Sequence, residues 1–112
     1  FVVVVDESKC VDKLGTRAPL SVEVIQFGWQ HQSRWLADSF NCTPVLREGD
    51  AAPLITDNSN YILDCTFPDG IDDPLGLAAA LKARTGIVEH GLFFDMADEV
   101  IIAGSEGLRF MP

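Results

Sequence analysis

The side chains of this sequence that could do chemistry start at its first apolar run. Phe1-Val2-Val3-Val4-Val5 is followed at once by Asp6, Glu7, Ser8 and Lys9. An unbroken, mostly β-branched run predicts a strand buried on both faces, as in a parallel sheet covered by helices. The four polar residues then stand at its carboxyl end, and open α/β sheets bind ligands in the crevice outside those ends. Lys9, a cation in an acidic chain, is placed there to clamp an anionic group. The competing reading makes Lys9 a solvated loop residue and the acids helix caps.

Other clusters carry less. Asp57, Ser59 and Tyr61 fall at the first, third and fifth spacings of a calcium loop, but the sixth position is Ile62 where Gly is required and the twelfth is Pro68 where Glu is required. The acidic stretch Pro68-Asp69-Gly70-Ile71-Asp72-Asp73 reads better as a turn followed by a helix start, with Asp73 as N-cap and Pro74 at the first helical position. His31 lies among Gln30, Gln32 and Arg34, with no carboxylate or thiol at pairing distance, and reads as a surface histidine. Glu89 and His90 are adjacent on a strand and so point to opposite faces, which rules them out as an acid–base dyad. Cys10, Cys42 and Cys65 are odd in number and widely spaced, with no CxxC pair. They read as buried free thiols of a reducing compartment, cytoplasm or organelle stroma, and not as a zinc or disulfide framework.

The elements that must position these residues follow from periodicity and punctuation. Ser21–Phe27 alternates, with Val22 and Val24 on one side and Glu23, Ile25 and Phe27 on the other. Trp29–Phe40 is an amphipathic helix whose apolar stripe is Trp29, Ser33, Leu36 and Phe40, widened by Trp35 and Ala37. Thr43–Glu48 is a strand with Pro44 near its start. Asp57-Asn58-Ser59-Asn60 makes a tight turn between antiparallel segments Leu54–Thr56 and Tyr61–Phe67. Pro74–Arg84 is a helix with Leu75, Ala78, Ala79 and Leu81 on its apolar face, closed by Gly86. Ile87–Phe94 is a strand with a bulge or close approach at Gly91. Glu99–Gly104 is a second fully apolar type of run, and Leu108–Met111 a short closing strand.

Length and charge narrow the class. The chain of 112 residues suits a single core of ordinary size, and 47% hydrophobic with 22% charged residues is a globular composition. A net charge of −9 gives no basic surface for nucleic acid. No apolar run reaches the roughly 20 residues of a membrane span. The expected fold is α/β with an α+β insertion: a ferredoxin-like βαββαβ lid unit flanked by strands of a Rossmann-like parallel sheet. In domain terms, residues 1–16 and 97–112 are parts of an incomplete Rossmann-like domain, which the resemblance described next implies is the catalytic domain, and residues 17–96 are the ferredoxin-like lid. A doubly buried strand with few parallel neighbours, starting in mid-strand, leads to the expectation that residues 1–112 are the carboxyl-terminal portion of a longer protein.

A family resemblance rests on Asp6-Glu7-Ser8-Lys9, Pro19–Ile25, Val45–Gly49, Thr56–Asp64, Gly86–Phe93 and Ile101–Gly104, taken in order. Together they look like the carboxyl-terminal half of type A ribose-5-phosphate isomerase, over essentially the whole chain. The resemblance implies interconversion of ribose 5-phosphate and ribulose 5-phosphate through an enediolate, with a carboxylate base and no metal or organic cofactor. It implies a substrate-binding role for Lys9, which matches the Lys of the DESK motif. It also implies a sugar-phosphate ligand, a homo-oligomeric assembly and a missing amino-terminal half holding the base and the phosphate loop, so that no catalytic residue is assigned here; Glu7 is not the family's base. A different class of function, a stand-alone ferredoxin-like ligand-sensing or protein-interaction module, competes with this reading. Val2–Val5 and Val100–Ala103 weigh against that alternative, because a self-sufficient module has no use for two extra buried runs.

Overall fold

Val2–Asp6 forms β1, and it runs parallel to β6, Glu99–Gly104, in the register Val2↔Glu99 to Asp6↔Ala103. This computed structural model describes residues 2–6, 13–16, 18–92, 99–104 and 107–111, the first and the last two of these stretches through backbone and register only. β6 turns back antiparallel onto β7, Gly107–Met111, so the small sheet has the order β1-β6-β7. A parallel pair cannot be closed by a tight turn. Here the whole intervening chain separates its two strands. The whole chain divides into two units, Phe1–Asp12 with Phe93–Pro112, and Lys13–Leu92.

The Lys13–Leu92 unit is built on four antiparallel strands: β2 Leu20–Val24, β3 Thr43–Leu46, β4 Tyr61–Thr66 and β5 Ile87–His90, in the order β3-β4-β2-β5. Helix α1, Trp29–Ser39, joins β2 to β3, and α2, Pro74–Ala83, joins β4 to β5. The fold is thus α/β, with a small antiparallel four-stranded sheet and two helices. Register sorts the side chains into faces. Leu20↔Cys65, Val22↔Leu63 and Leu46↔Leu63 align residues of one face, and Leu20, Val22, Val24, Leu63 and Cys65 are all buried. α1 contributes buried Leu36 and Gln32, and α2 contributes buried Leu77 and Leu81, so these side chains and the inner sheet face make the core. The other face carries Ser21, Glu23, Ile62 and Asp64, all half-buried.

Several local expectations hold. Val22 and Val24 share the buried side, and Asp73 caps α2 by accepting the Gly76 N–H at 3.0 Å, with Pro74 at the first helical position. The 57–60 segment is a turn, closed by the Thr56 N–H donating to the Asn60 carbonyl, with Ser59 at φ 63°.

Other expectations need correction. In α1 the buried polar residue is Gln32, only 8% exposed, while Ala37 is exposed and Ser33 half-buried, so the buried stripe is rotated from the sequence pattern. The cause is tertiary: Gln32 Nε2 donates to the Thr85 carbonyl at 3.2 Å and its Oε1 accepts from Arg84 Nε at 2.9 Å, which makes an amide acceptable in the core. Gly86, at φ +95°, permits that approach, because a Cβ there would meet Gln32 Nε2 at 2.4 Å. In α2, Leu77 replaces Leu75 on the buried face, and Leu75 is 66% exposed. Leu54–Ile55 form no strand, β3 stops at Leu46, and β5 stops at His90. The irregularity of the β2–β5 pairing falls between Glu23 and Val24, not at Gly91, whose N–H donates to the Ser21 carbonyl at 3.0 Å.

Candidate functional site

Lys9, the substrate-binding candidate, lies outside the described residues, as do Glu7, Ser8 and Cys10. The structure does describe the strand leading to it. β1 ends at Asp6, so the polar DESK segment starts at the carboxyl end of a strand with a parallel neighbour. That is the strand end at which open α/β sheets hold ligands.

Within the Lys13–Leu92 unit, polar side chains gather on the outer sheet face. Arg47, just past β3, donates from Nε to Asp64 Oδ2 at 2.9 Å and from Nη2 to Asp64 Oδ1 at 2.5 Å, and Nη2 also donates to Ser21 Oγ at 2.9 Å. The guanidinium hydrogen bonds hold the Asp64 carboxyl below the usual carboxylate range, and Asp64 in turn raises Arg47. Beside them, Glu23 Oε2 accepts from Thr56 Oγ1 at 2.8 Å and from Asn60 Nδ2 at 3.0 Å, tying the 57–60 turn to β2. Strand alternation alone would have placed Ser21, Glu23 and Asp64 on one outward face; what it could not supply was the β2–β4 register that makes Asp64 the opposite number of Ser21. Every member of these two clusters is occupied by another, and the chemistry they perform is to brace the sheet.

The acidic loop lines a cleft of about 480 Å³ with Asn41, Phe67 and Leu77. Its acids are already committed: Asp72 pairs with Lys13 Nζ, Asp69 Oδ2 accepts from Asn41 Nδ2 at 2.8 Å, and Asp73 caps α2. Among the described residues no group of three or more His, Cys, Asp or Glu is arranged to hold a metal ion.

His31 is exposed, and His90 is buried. Glu89 and His90 do diverge as expected, yet the Glu89 Oε1 accepts the His90 main-chain N–H at 3.1 Å and Lys82 Nζ at 3.1 Å, which lower the carboxyl. Cys42 and Cys65 are buried and free. The neighbouring Cys42 and burial hold the Cys65 thiol above the ordinary thiol range, and its Sγ donates to the Leu63 carbonyl at 3.9 Å. Among the described residues no helix is long and apolar enough to cross a membrane.

Comparison with known proteins joins these two units to a class. The family model described as ribose 5-phosphate isomerase A (phosphoriboisomerase A) matches residues 1–107. The ribose-5-phosphate isomerase A of Synechococcus sp. (strain JA-3-3Ab) is 48% identical over 112 residues, covering 97% of this chain and 47% of the relative. That of Bacillus mycoides (strain KBAB4) is 42% identical over 109 residues, covering 97% and 48% respectively. A D-ribose-5-phosphate isomerase solved in complex with phospho-erythronic acid superposes with a TM-score of 0.92 at 42% identity, over 99% of this chain and 48% of that one. The ribose 5-phosphate isomerase A structure from Methanocaldococcus jannaschii gives a TM-score of 0.87 at 39% identity, over 99% and 48%. The likeness therefore shows an α/β fold shared with proteins named as ribose-5-phosphate isomerases. The chain belongs to the ribose 5-phosphate isomerase A family, and it spans about half the length of the relatives it matches.

Proposed function

We propose that this chain is one half of an aldose–ketose isomerase that interconverts ribose 5-phosphate and ribulose 5-phosphate through an enediolate. The observation that carries the reading is the family match over residues 1–107, which includes the DESK segment directly after β1. In this reading Lys9 binds the anionic substrate at the carboxyl end of β1. Its ammonium supplies charge-assisted hydrogen bonding where negative charge gathers. The carboxylate that moves the proton between C2 and C1 is assigned to the complementary half, as is the phosphate loop. The solved relative carrying phospho-erythronic acid, a phosphorylated sugar acid, supports a ligand of this class.

The same reading assigns residues 1–16 and 97–112 to a Rossmann-like catalytic domain and residues 17–96 to a ferredoxin-like lid. The order β3-β4-β2-β5, with helices after β2 and β4, supports the ferredoxin-like assignment, and the parallel pairing of β1 with β6 supports the Rossmann-like one. A homo-oligomer built from the completed chains belongs to the same proposal.

The test is complementation. The 112-residue chain is joined to the amino-terminal half of the Synechococcus relative, and ribulose 5-phosphate formation from ribose 5-phosphate is followed. Turnover is expected from the joined protein and from neither half by itself. Robust turnover by the 112-residue chain alone would overturn the placement of the base, and an inactive but folded joined protein would overturn the activity.

A further inference from the structure

His90 occupies an unusual place. It is the last residue of β5, 7% exposed, two positions before Leu92, where the Lys13–Leu92 unit ends. Its Nδ1 lies 3.0 Å from the main-chain nitrogen of Leu92, itself buried. A main-chain N–H can only donate, so Nδ1 must be bare and the ring proton must sit on Nε2. A charged imidazole carries protons on both nitrogens and has no acceptor left for Leu92. The bond and the proton are therefore mutually exclusive.

We propose that His90 is a pH-sensitive latch on the exit of β5: the neutral imidazole holds the Leu92 main chain, and protonation of the ring releases it. The neighbouring anchor is independent of the ring, because the Gly91 N–H donates to the Ser21 carbonyl at 3.0 Å. Release is thus confined to the residue through which the chain leaves the unit.

The surroundings favour the neutral, latched form at ordinary pH. Burial lowers the affinity of His90 for a proton, Glu89 opposes that, and Lys82 adds to it. Glu89 sits on the same strand and Lys82 on α2. From β2, Val22 stands opposite His90 and carries no charge, and Glu23 is paired with Glu89 on the other face. Among the described residues no further charged group acts on the ring. Release therefore occurs below 6.5, the ordinary histidine value, because burial moves the ring downward.

The experiment is amide hydrogen exchange by NMR on the 112-residue chain, with the His90 ring nitrogens followed through the same pH series. Exchange rates are expressed relative to the unstructured rate at each pH. The expected result is a bare Nδ1 at neutral pH, and on acidification a fall of about tenfold in Leu92 protection, the scale of one lost hydrogen bond. That fall should track ring protonation while Gly91 stays protected. His90→Asn keeps an acceptor near the Nδ1 position and has no proton to gain, so Leu92 should be protected across the whole series. His90→Leu should leave Leu92 unprotected throughout. A proton on Nδ1 at neutral pH, Leu92 protection unchanged as the ring titrates, or joint loss at Gly91 and Leu92 would overturn the latch. The Asn variant decides the matter even if the Leu variant fails to fold.

Discussion

Arg47 grips Asp64 with two nitrogens across the β3–β4 pairing, Nε to Oδ2 at 2.9 Å and Nη2 to Oδ1 at 2.5 Å, and the same Nη2 reaches Ser21 on β2. One guanidinium thus ties three adjacent strands or their ends on the outer face of the sheet. Bidentate geometry is the kind of ion pair that contributes measurably. Its worth is limited by exposure, with 38% of the Arg47 side chain and 22% of that of Asp64 open to solvent. Asp64→Asn should cost about 1 kcal/mol after that discount, read as a melting-temperature fall of about 4–8 °C.

The pair also predicts an acid limb. The folded chain holds Asp64 below 3.8, so its contribution is present above that value and is lost as pH falls through the folded one. Chemical denaturation of wild type and Asp64→Asn should show a gap between the two curves near neutrality that closes in strong acid. A gap that persists unchanged would mean that the stabilisation does not depend on the charge.

Leu81 and Leu75 separate core from surface on one helix. Leu81 is fully buried, and Leu75 is 66% exposed. Leu81→Ala should destabilise by about 2–5 kcal/mol, whereas Leu75→Ala should stay within about 0.5 kcal/mol. Equilibrium urea unfolding measures both, and comparable losses would contradict the orientation of α2.

Asp73 is a test of capping. Its Oδ1 accepts the Gly76 N–H at 3.0 Å at the start of α2. Asp73→Ala should cost about 0.5–2 kcal/mol, and Asp73→Ser should recover most of it. Far-ultraviolet melts would register the difference; equal stability of all three proteins would remove the cap from the account.

For Lys9 the readout is kinetic and belongs to the joined, active protein. Lys9→Ala should lower kcat/KM by roughly ten- to a hundredfold, the loss of one charge-assisted hydrogen bond of about 1.5–3 kcal/mol. If substrate and transition state share the contact equally, the change appears in KM. An unaltered kcat/KM would make Lys9 a bystander.

His90 adds a limb of its own to the stability curve. Its folded value is lowered from 6.5, chiefly by burial, so its full contribution is present above 6.5. As pH falls below that, the unfolded chain takes up the proton first, and stability declines until the folded ring is protonated too. Wild type should lose stability in this window, and His90→Asn should not; identical pH profiles for the two would contradict a ring held neutral by its surroundings.

The features that the sequence alone determined are those decided by neighbours along the chain. Alternation put Val22 and Val24 on one side of β2, Asp73-Pro74 marked the start of α2, and the Asp57–Asn60 chemistry marked a turn, because backbone sterics and local hydrogen bonds act over a few residues. The unalternating apolar runs around Val2–Val5 and Val100–Ala103 likewise announced a parallel pair, since such runs are the pattern of parallel strands. The motif text in turn carried the family, which no amount of periodicity contains. Tertiary structure decided what depends on residues far apart in the chain. It turned α1 so that Gln32 is buried, because Arg84 and the Thr85 carbonyl satisfy the amide, and it turned α2 so that Leu77 is buried and Leu75 is left in water. It set Arg47 against Asp64 and Ser21. A helix's periodicity offers an apolar stripe broad enough for more than one rotation, and the partner surface that selects among them is built from distant segments.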